Sequence, residues 1–235
     1  MAMVRVKICG LTRFEDAAVA LELGADYLGF ILYPPSPRSV TSESVGYIVD
    51  ELRRAYPSRF IEPNPPQMIG VFVNETSANM AKIMDRCGLD IAQLSGDEDA
   101  GSVNNSGSPI LGRAYKAIRP RSSNEAIDSV IRYANSTASS GASIPSILLD
   151  TPHGHLYGGS GEVGNWGLAT ELAAGVPRLM LAGGLTPDNV SEAVRKVRPF
   201  AVDVASGVES SPGIKDHNLI CLFIQNAKYP RQPER

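Results

Sequence analysis

The sequence predicts an α/β chain closed into one (β/α)8 barrel. Three observations carry this reading. Eight short runs are almost continuously apolar, as strands buried on both faces must be. Between them apolar residues recur at helical spacing, so each strand is followed by a segment able to cover it. The length, 235 residues, is near the ~250 that one such domain typically uses, and no composition shift marks a second domain, so residues 1–235 are read as one unit.

The first strand ends in Cys9-Gly10, and Thr12 with Glu15 forms a capping-box pattern before the helical stripe Phe14, Ala17, Ala18, Leu21. Gly24 breaks that helix, and "YLGFIL" (27–32) is the second strand. Val45, Ile48 and Leu52 stripe the next helix, after which "QMIGVFV" (67–73) is a third strand. Met80, Ile83, Met84 and Cys87 form one helix face, which makes Cys87 a core residue, and "IAQLSG" (91–96) is strand four. The polar segment 97–109 leaves room only for a short or irregular helix. "ILGRAYKAI" (110–118) is strand five, 124–134 a helix, and "NSTASSGAS" a surface loop. "SILLDT" (146–151), "RLMLAGG" (178–184) and "AVDVASGV" (201–208) complete the eight strands, with helices expected over 166–174, 187–197 and 216–228. The proline-rich 61–66 precedes a strand and belongs to the opposite, stability face, while 229–235 lacks periodicity and reads as a frayed tail.

Apolar residues make up 43% of the chain and charged residues 20%, an ordinary globular balance, and a net charge of −3 offers no basic footprint for nucleic acid. Three widely spaced cysteines suggest neither a disulfide framework nor a zinc site. "MAMVRVKICG" lacks the apolar core of a signal peptide, and no run reaches membrane-spanning length. The expectation is a soluble, cytoplasmic protein whose partner is a small molecule.

In such a barrel the site is built where strands end, so the last residue of each strand and the first after it matter most. These are Cys9, then Arg38 in "SPR", Gln93 and Ser95, Arg113 and Lys116, Asp150, Gly183-Gly184 and Ser206-Gly207. Taken alone, Cys9 reads as a small buried hydrophobe, Arg38 as a solvated loop residue and Gly183-Gly184 as a turn. Small residues on adjacent last strands also suit a phosphate, which backbone N–H groups and a short helix there can surround.

"KICG" (7–10), "GADYLGF" and "SPRSV" (24–40), "GVFVN" (70–74), "QLSGDE" (93–98), "LLDT" and "GGSG" (148–161), "LAGGLTPDNV" (181–190) and "DVASGVESSPGIKD" (203–216) together closely resemble the phosphoribosylanthranilate isomerases of tryptophan biosynthesis. The resemblance runs from first strand to last helix. It implies a TIM barrel of the ribulose-phosphate-binding type and an Amadori rearrangement of N-(5-phosphoribosyl)anthranilate to 1-(2-carboxyphenylamino)-1-deoxyribulose 5-phosphate, without cofactor or metal. By the same resemblance Asp150 is the acid that opens the ribose ring and Cys9 the base that removes the C2 proton. Arg38 faces the anthranilate carboxylate, while Gln93, Gly159, Gly183, Gly184, Ser206 and Gly207 bind the rest of an anionic substrate. Gly10 is expected to leave room for that substrate, and the chain to act as a monomer or homodimer.

That chemistry sets requirements. Keeping an ordinary aspartic acid protonated at pH 7 costs ~4 kcal/mol, so a partly apolar pocket is expected around Asp150. A thiol near ~8.5 is only a few per cent ionised at neutral pH, so a helix N-terminus or the substrate's iminium cation is expected to lower it. His153 and His155 form "HGH", yet no carboxylate or thiolate cluster completes a metal site. Ser95 stands where the family often has histidine, and "EVGNW" (162–166) replaces a Lys-Thr-Phe-Asp-Trp run, with Glu162 where lysine is common. Two other readings stay open: an isomerase of histidine biosynthesis, which relies on paired aspartates, and a phosphosugar-binding barrel without catalysis.

Overall fold

The computed structural model describes residues 3–134, 143–150 and 166–230. Eight parallel strands follow one another around a closed barrel: β1 Arg5–Cys9, β2 Tyr27–Ile31, β3 Gln67–Phe72, β4 Ile91–Leu94, β5 Ala114–Ile118, β6 Ile147–Asp150, β7 Leu179–Ala182 and β8 Ala201–Val204. β8 returns beside β1, with Val6 opposite Val202 and Ile8 opposite Val204. The closure leaves no unpaired barrel edge.

Side chains alternate across each strand, which divides the apolar residues into two sets. Val6, Ile8, Leu28, Phe30 and Phe72 face outward into the layer beneath the helices. Tyr27, Ile69, Ile91, Tyr115, Leu148, Met180 and Ala201 fill the bore toward the N-terminal ends of the strands. Polar inward positions are thereby left to the opposite mouth.

The outer ring comprises α1 Phe14–Glu22, α2 Ser42–Ala55, α3 Pro57–Phe60, α4 Ser77–Cys87, α5 Gly101–Asn104, α6 Ser123–Tyr133, α7 Trp166–Gly175, α8 Val190–Val197 and α9 His217–Lys228. Thr41, Thr76, Ser122 and Asp216 cap α2, α4, α6 and α9 through their side-chain oxygens, satisfying first-turn N–H groups. α1 departs from its expected capping box. Its N-cap is Arg13, without a side-chain cap bond, and the Thr12 hydroxyl instead donates to the Gly213 carbonyl at 2.5 Å.

Other boundaries shift for local reasons. Strand five starts at Ala114 rather than 110, because the Arg113 N–H turns back to the Ile110 carbonyl and Gly112 takes a left-handed φ of +75°. β8 stops at Val204, and Ser206–Val208 forms a 3-10 turn. The sequence reading missed the hairpin β9 Glu209–Ser211 and β10 Ile214–Lys215, whose polar residues carry no apolar alternation. It also missed α3, which Pro57 starts at its first position. Residues 231–235 of the expected tail lie outside the described residues.

Candidate active site

Arg5, Lys7 and Cys9 occupy alternate positions of β1, so Lys7 and Cys9 both point into the bore near its C-terminal mouth. Gly29 lies directly across β2 from Cys9. A Cβ on Gly29 would stand 3.0 Å from the Cys9 Sγ and 3.0 Å from the Lys7 Cε. The missing side chain on β2 is what lets a thiol and a lysine crowd together on β1.

Lys7 is fully buried, and its ammonium is satisfied by side chains from across the barrel. Nζ donates to the Gln93 Oε1 at 2.9 Å and to the Asp203 Oδ1 at 3.0 Å, and lies close enough to Cys9 for each to affect the other's charge. The Tyr115 hydroxyl donates to the same Gln93 oxygen at 2.8 Å, while the Gln93 amide nitrogen donates to the Ser95 hydroxyl at 3.1 Å. Burial is the largest single influence and works against the Lys7 charge, but Asp203, Cys9 and Tyr115 together outweigh it and hold the ammonium above the ordinary lysine value. Burial pushes the Asp203 carboxyl up, with Lys7 opposing. The same desolvation raises the Cys9 thiol, again against Lys7. A helix N-terminus does not lower the thiol in the ligand-free protein, since α1 begins only at Phe14.

Gly10 has a φ of +72°, and a Cβ there would meet the Arg38 Cδ at 2.8 Å. The space a Gly10 side chain would take is thus filled by the Arg38 stem, not left for a substrate as expected. The Arg38 fork is also engaged: Nε and Nη2 donate to the two Glu209 oxygens at 2.8 and 2.7 Å. Arg38 is not among the residues that line the cavity described next, although Tyr33 and Ser36 of its loop are.

A cavity of about 480 Å³ opens at the C-terminal ends of the strands. Cys9, Gln93, Ser95, Asp150 and Asp203 lie on its walls, and Gly183, Gly184, Ser206 and Gly207 on the side of β7 and β8. Gly183 and Gly184 have φ of +91° and +59°, a path that other residues follow at a cost, and Asn189 ties their loop by donating to the Gly184 carbonyl at 2.9 Å. Gly207 is packed so closely on the preceding loop that a Cβ would lie 2.0 Å from the Leu185 carbonyl oxygen.

Asp150 shares its cavity wall with Ile31, Val71, Leu148 and Val204, so the pocket is partly apolar. The Asp150 side chain is 31% exposed and its Oδ2 accepts from the Arg119 Nε at 2.8 Å, while Arg119 Nη1 donates to the Ser95 carbonyl. Two residues read as strand-end candidates lie elsewhere. Arg113 opens β5 at the other mouth, bonding Asp85 and the Leu89 and Asp90 carbonyls. Lys116 turns outward into the β4 loop, where it holds Glu98 and the Leu94 and Gly96 carbonyls. His153, His155, Gly159 and Glu162 lie outside the described residues. Lys7, Tyr115, Arg119, Asp203, Glu209 and Lys215 were all missed. Strand parity was the available signal for Lys7 and Asp203, each on the inward side of its strand.

Residues 6–226 match the family model described as N-(5'-phosphoribosyl)anthranilate (PRA) isomerase. The chain belongs to this family. Among curated isomerases of the family, that of Trichlorobacter lovleyi is 42% identical over 228 residues, covering 96% of this chain and 98% of the relative. The solved phosphoribosyl anthranilate isomerase from Thermotoga maritima is 38% identical, with a TM-score of 0.78 over 96% of this chain and 99% of that one. Another solved isomerase of the family, 34% identical with a TM-score of 0.73, is in complex with reduced 1-(o-carboxyphenylamino)-1-deoxyribulose 5-phosphate; 96% of this chain and 99% of that one are covered. Among the described residues no helix is long and apolar enough to cross a membrane.

Proposed function

We propose that this phosphoribosylanthranilate isomerase family member converts N-(5-phosphoribosyl)anthranilate to 1-(2-carboxyphenylamino)-1-deoxyribulose 5-phosphate in tryptophan biosynthesis. One observation carries the reading: a single cavity holds Cys9 on β1 and Asp150 on β6, three strands apart around the barrel, with the glycine-rich ends of β7 and β8 beside them. Asp150 delivers a proton to the ribose ring oxygen, and the C1–O bond breaks to leave an iminium. Cys9 then takes the C2 proton, giving an enolamine that tautomerises to the ketone. The iminium adds a second positive charge to that of Lys7 and offsets the burial that raises the thiol, so the thiolate forms when substrate is in place.

Gly183, Gly184, Ser206 and Gly207 hold the phosphate, as small residues closing the last two barrel loops are suited to do. Gln93, fixed by Lys7 and Tyr115, presents its amide to the cavity wall. Arg38 meets the anthranilate carboxylate, and Gly159 belongs to the substrate's surroundings by its motif alone. The reaction needs no cofactor or metal, and the same reading puts the protein in the cytoplasm as a monomer or homodimer with a small anionic substrate.

The test is genetic and enzymatic together. Expression in a host lacking this isomerase is expected to restore growth without tryptophan, and purified protein to give the spectral change of the arylamine as its sugar ring opens. Rescue of a histidine-pathway host instead, with no effect on the tryptophan host, overturns the reading.

A further inference from the structure

Arg38 is bound before any substrate arrives. Its side-on edge, Nε with Nη2, is closed by Glu209 at 2.8 and 2.7 Å. The guanidinium has a second edge, formed by Nη1 and the outer N–H of Nη2, and two parallel N–H groups there match a second carboxylate. Among the described residues nothing is bonded to it. Glu209 cannot readily swing away to alter this, because its Oε1 also accepts from the Lys215 Nζ at 2.9 Å and the Gly213 N–H at 3.3 Å. Lys215 is itself fixed, its ammonium on the Ala205 carbonyl at 2.8 Å and its backbone N–H on the Asp16 Oδ2 at 3.0 Å.

Charge completes the picture. Arg38, Glu209 and Lys215 form a chain of cation, anion and cation, with Glu209 and Lys215 almost wholly buried. The unit carries one positive charge that no member cancels. A single incoming carboxylate on the open edge of Arg38 balances it. Without Lys215, the Arg38–Glu209 pair alone would be neutral and offer that carboxylate far less.

We propose that Glu209, backed by Lys215, is the positioning residue that aims the open edge of Arg38 at the carboxylate of the aryl amine and so sets selectivity for a carboxylated substrate. The inference rests on the proposed contact between Arg38 and that carboxylate. The hairpin after β8 is not needed to close the barrel; it serves to bring Glu209 and Lys215 to the Arg38 side of Cys9.

The experiment compares two ligands on each variant: reduced 1-(o-carboxyphenylamino)-1-deoxyribulose 5-phosphate and the same compound without its ring carboxylate. In Glu209→Gln the guanidinium loses its anchor, and although the unit then gains a positive charge, the carboxylated ligand is expected to bind at least tenfold more weakly, with the other staying within twofold of the parent. Lys215→Met is expected to show the same selective loss, and Glu209→Asp to recover part of it. Equal weakening of both ligands in every variant means a general disturbance of the loop and overturns the proposal, as does no change in either. Arg38→Met separates the two readings. If it abolishes the preference for the carboxylated ligand while Glu209→Gln keeps it, positioning by Glu209 fails and the Arg38 contact stands; if Arg38→Met keeps the preference, the contact itself fails.

Discussion

At Cys9 two effects oppose each other: burial disfavours the thiolate, and the neighbouring Lys7 ammonium favours it. Their balance lies above the ordinary thiol value of ~8.5, so kcat/KM, which reports the free enzyme, is expected to keep rising with pH through about 8 to 9. Lys7→Met removes the β1 neighbour that favours the charge, and that rise should move to higher pH, in step with the pH dependence of Cys9 alkylation. An unmoved limb would deny Lys7 this influence. The variant must be assayed below its melting point, because it leaves Asp203 buried without its partner, a loss of ~3–5 kcal/mol for such pairs. Cys9→Ala should abolish turnover while binding of the reduced product analogue stays near normal. Asp150→Asn should lower kcat by ~10² to 10⁴, the range for a positioned acid or base.

Among the elements, the loops after β7 and β8 interlock at one point, Gly207 against the Leu185 carbonyl. Gly207→Ala cannot fit without moving one of them, and overpacking of this kind costs ~1–3 kcal/mol. The variant is expected to melt earlier and to bind inorganic phosphate more weakly, measured by calorimetry; unchanged phosphate affinity would remove these loops from the phosphate site. Continuous apolar runs made the eight strands legible, since strands covered on both faces need no polar alternation, and the striped helices followed. The strand ends made Cys9, Asp150, Gln93 and the glycines legible as cavity residues for the same reason. Lys7 and Asp203 escaped because a charged residue inside an apolar run looks like an interruption until its partner across the barrel is known. Arg119 escaped although it directly follows the strand read over 110–118, because the charged residues inside that run, Arg113 and Lys116, were taken as its candidates instead. The β9–β10 hairpin lacks any apolar pattern, so neither it nor the Glu209 grip on Arg38 could be read from spacing.

For the molecule as a whole, charged contacts join the first βα unit to the last. Asp16 on α1 accepts from the Lys215 N–H and Arg13 and pairs with the His217 ring, and these bonds outweigh its burial and hold its carboxyl below the ordinary range. Glu209 is held down likewise, by Arg38 and Lys215 against burial. A carboxyl depressed in the folded state takes up protons more readily once unfolded, so its stabilisation is complete above the unfolded value and is lost as pH falls through the folded one. Urea midpoints should therefore hold from about pH 7 to about 5 and fall below about 4, where ordinary carboxylates titrate, and Asp16→Asn should flatten that acid slope. A slope unchanged in the variant would mean that other carboxylates dominate it. The Lys7–Asp203 pair has a further consequence for synthesis. Its members are 196 positions apart, so at ~5–20 residues per second the ribosome makes the lysine roughly 10–40 s before its carboxylate exists. During that interval β1 carries a cation destined for a dry interior with nothing to neutralise it, and the nascent β1 has every reason to stay in water. The thiol beside it therefore remains open to oxidants and alkylating agents until the final strand has been translated, and the growing chain holds its nucleophile long before it holds a site.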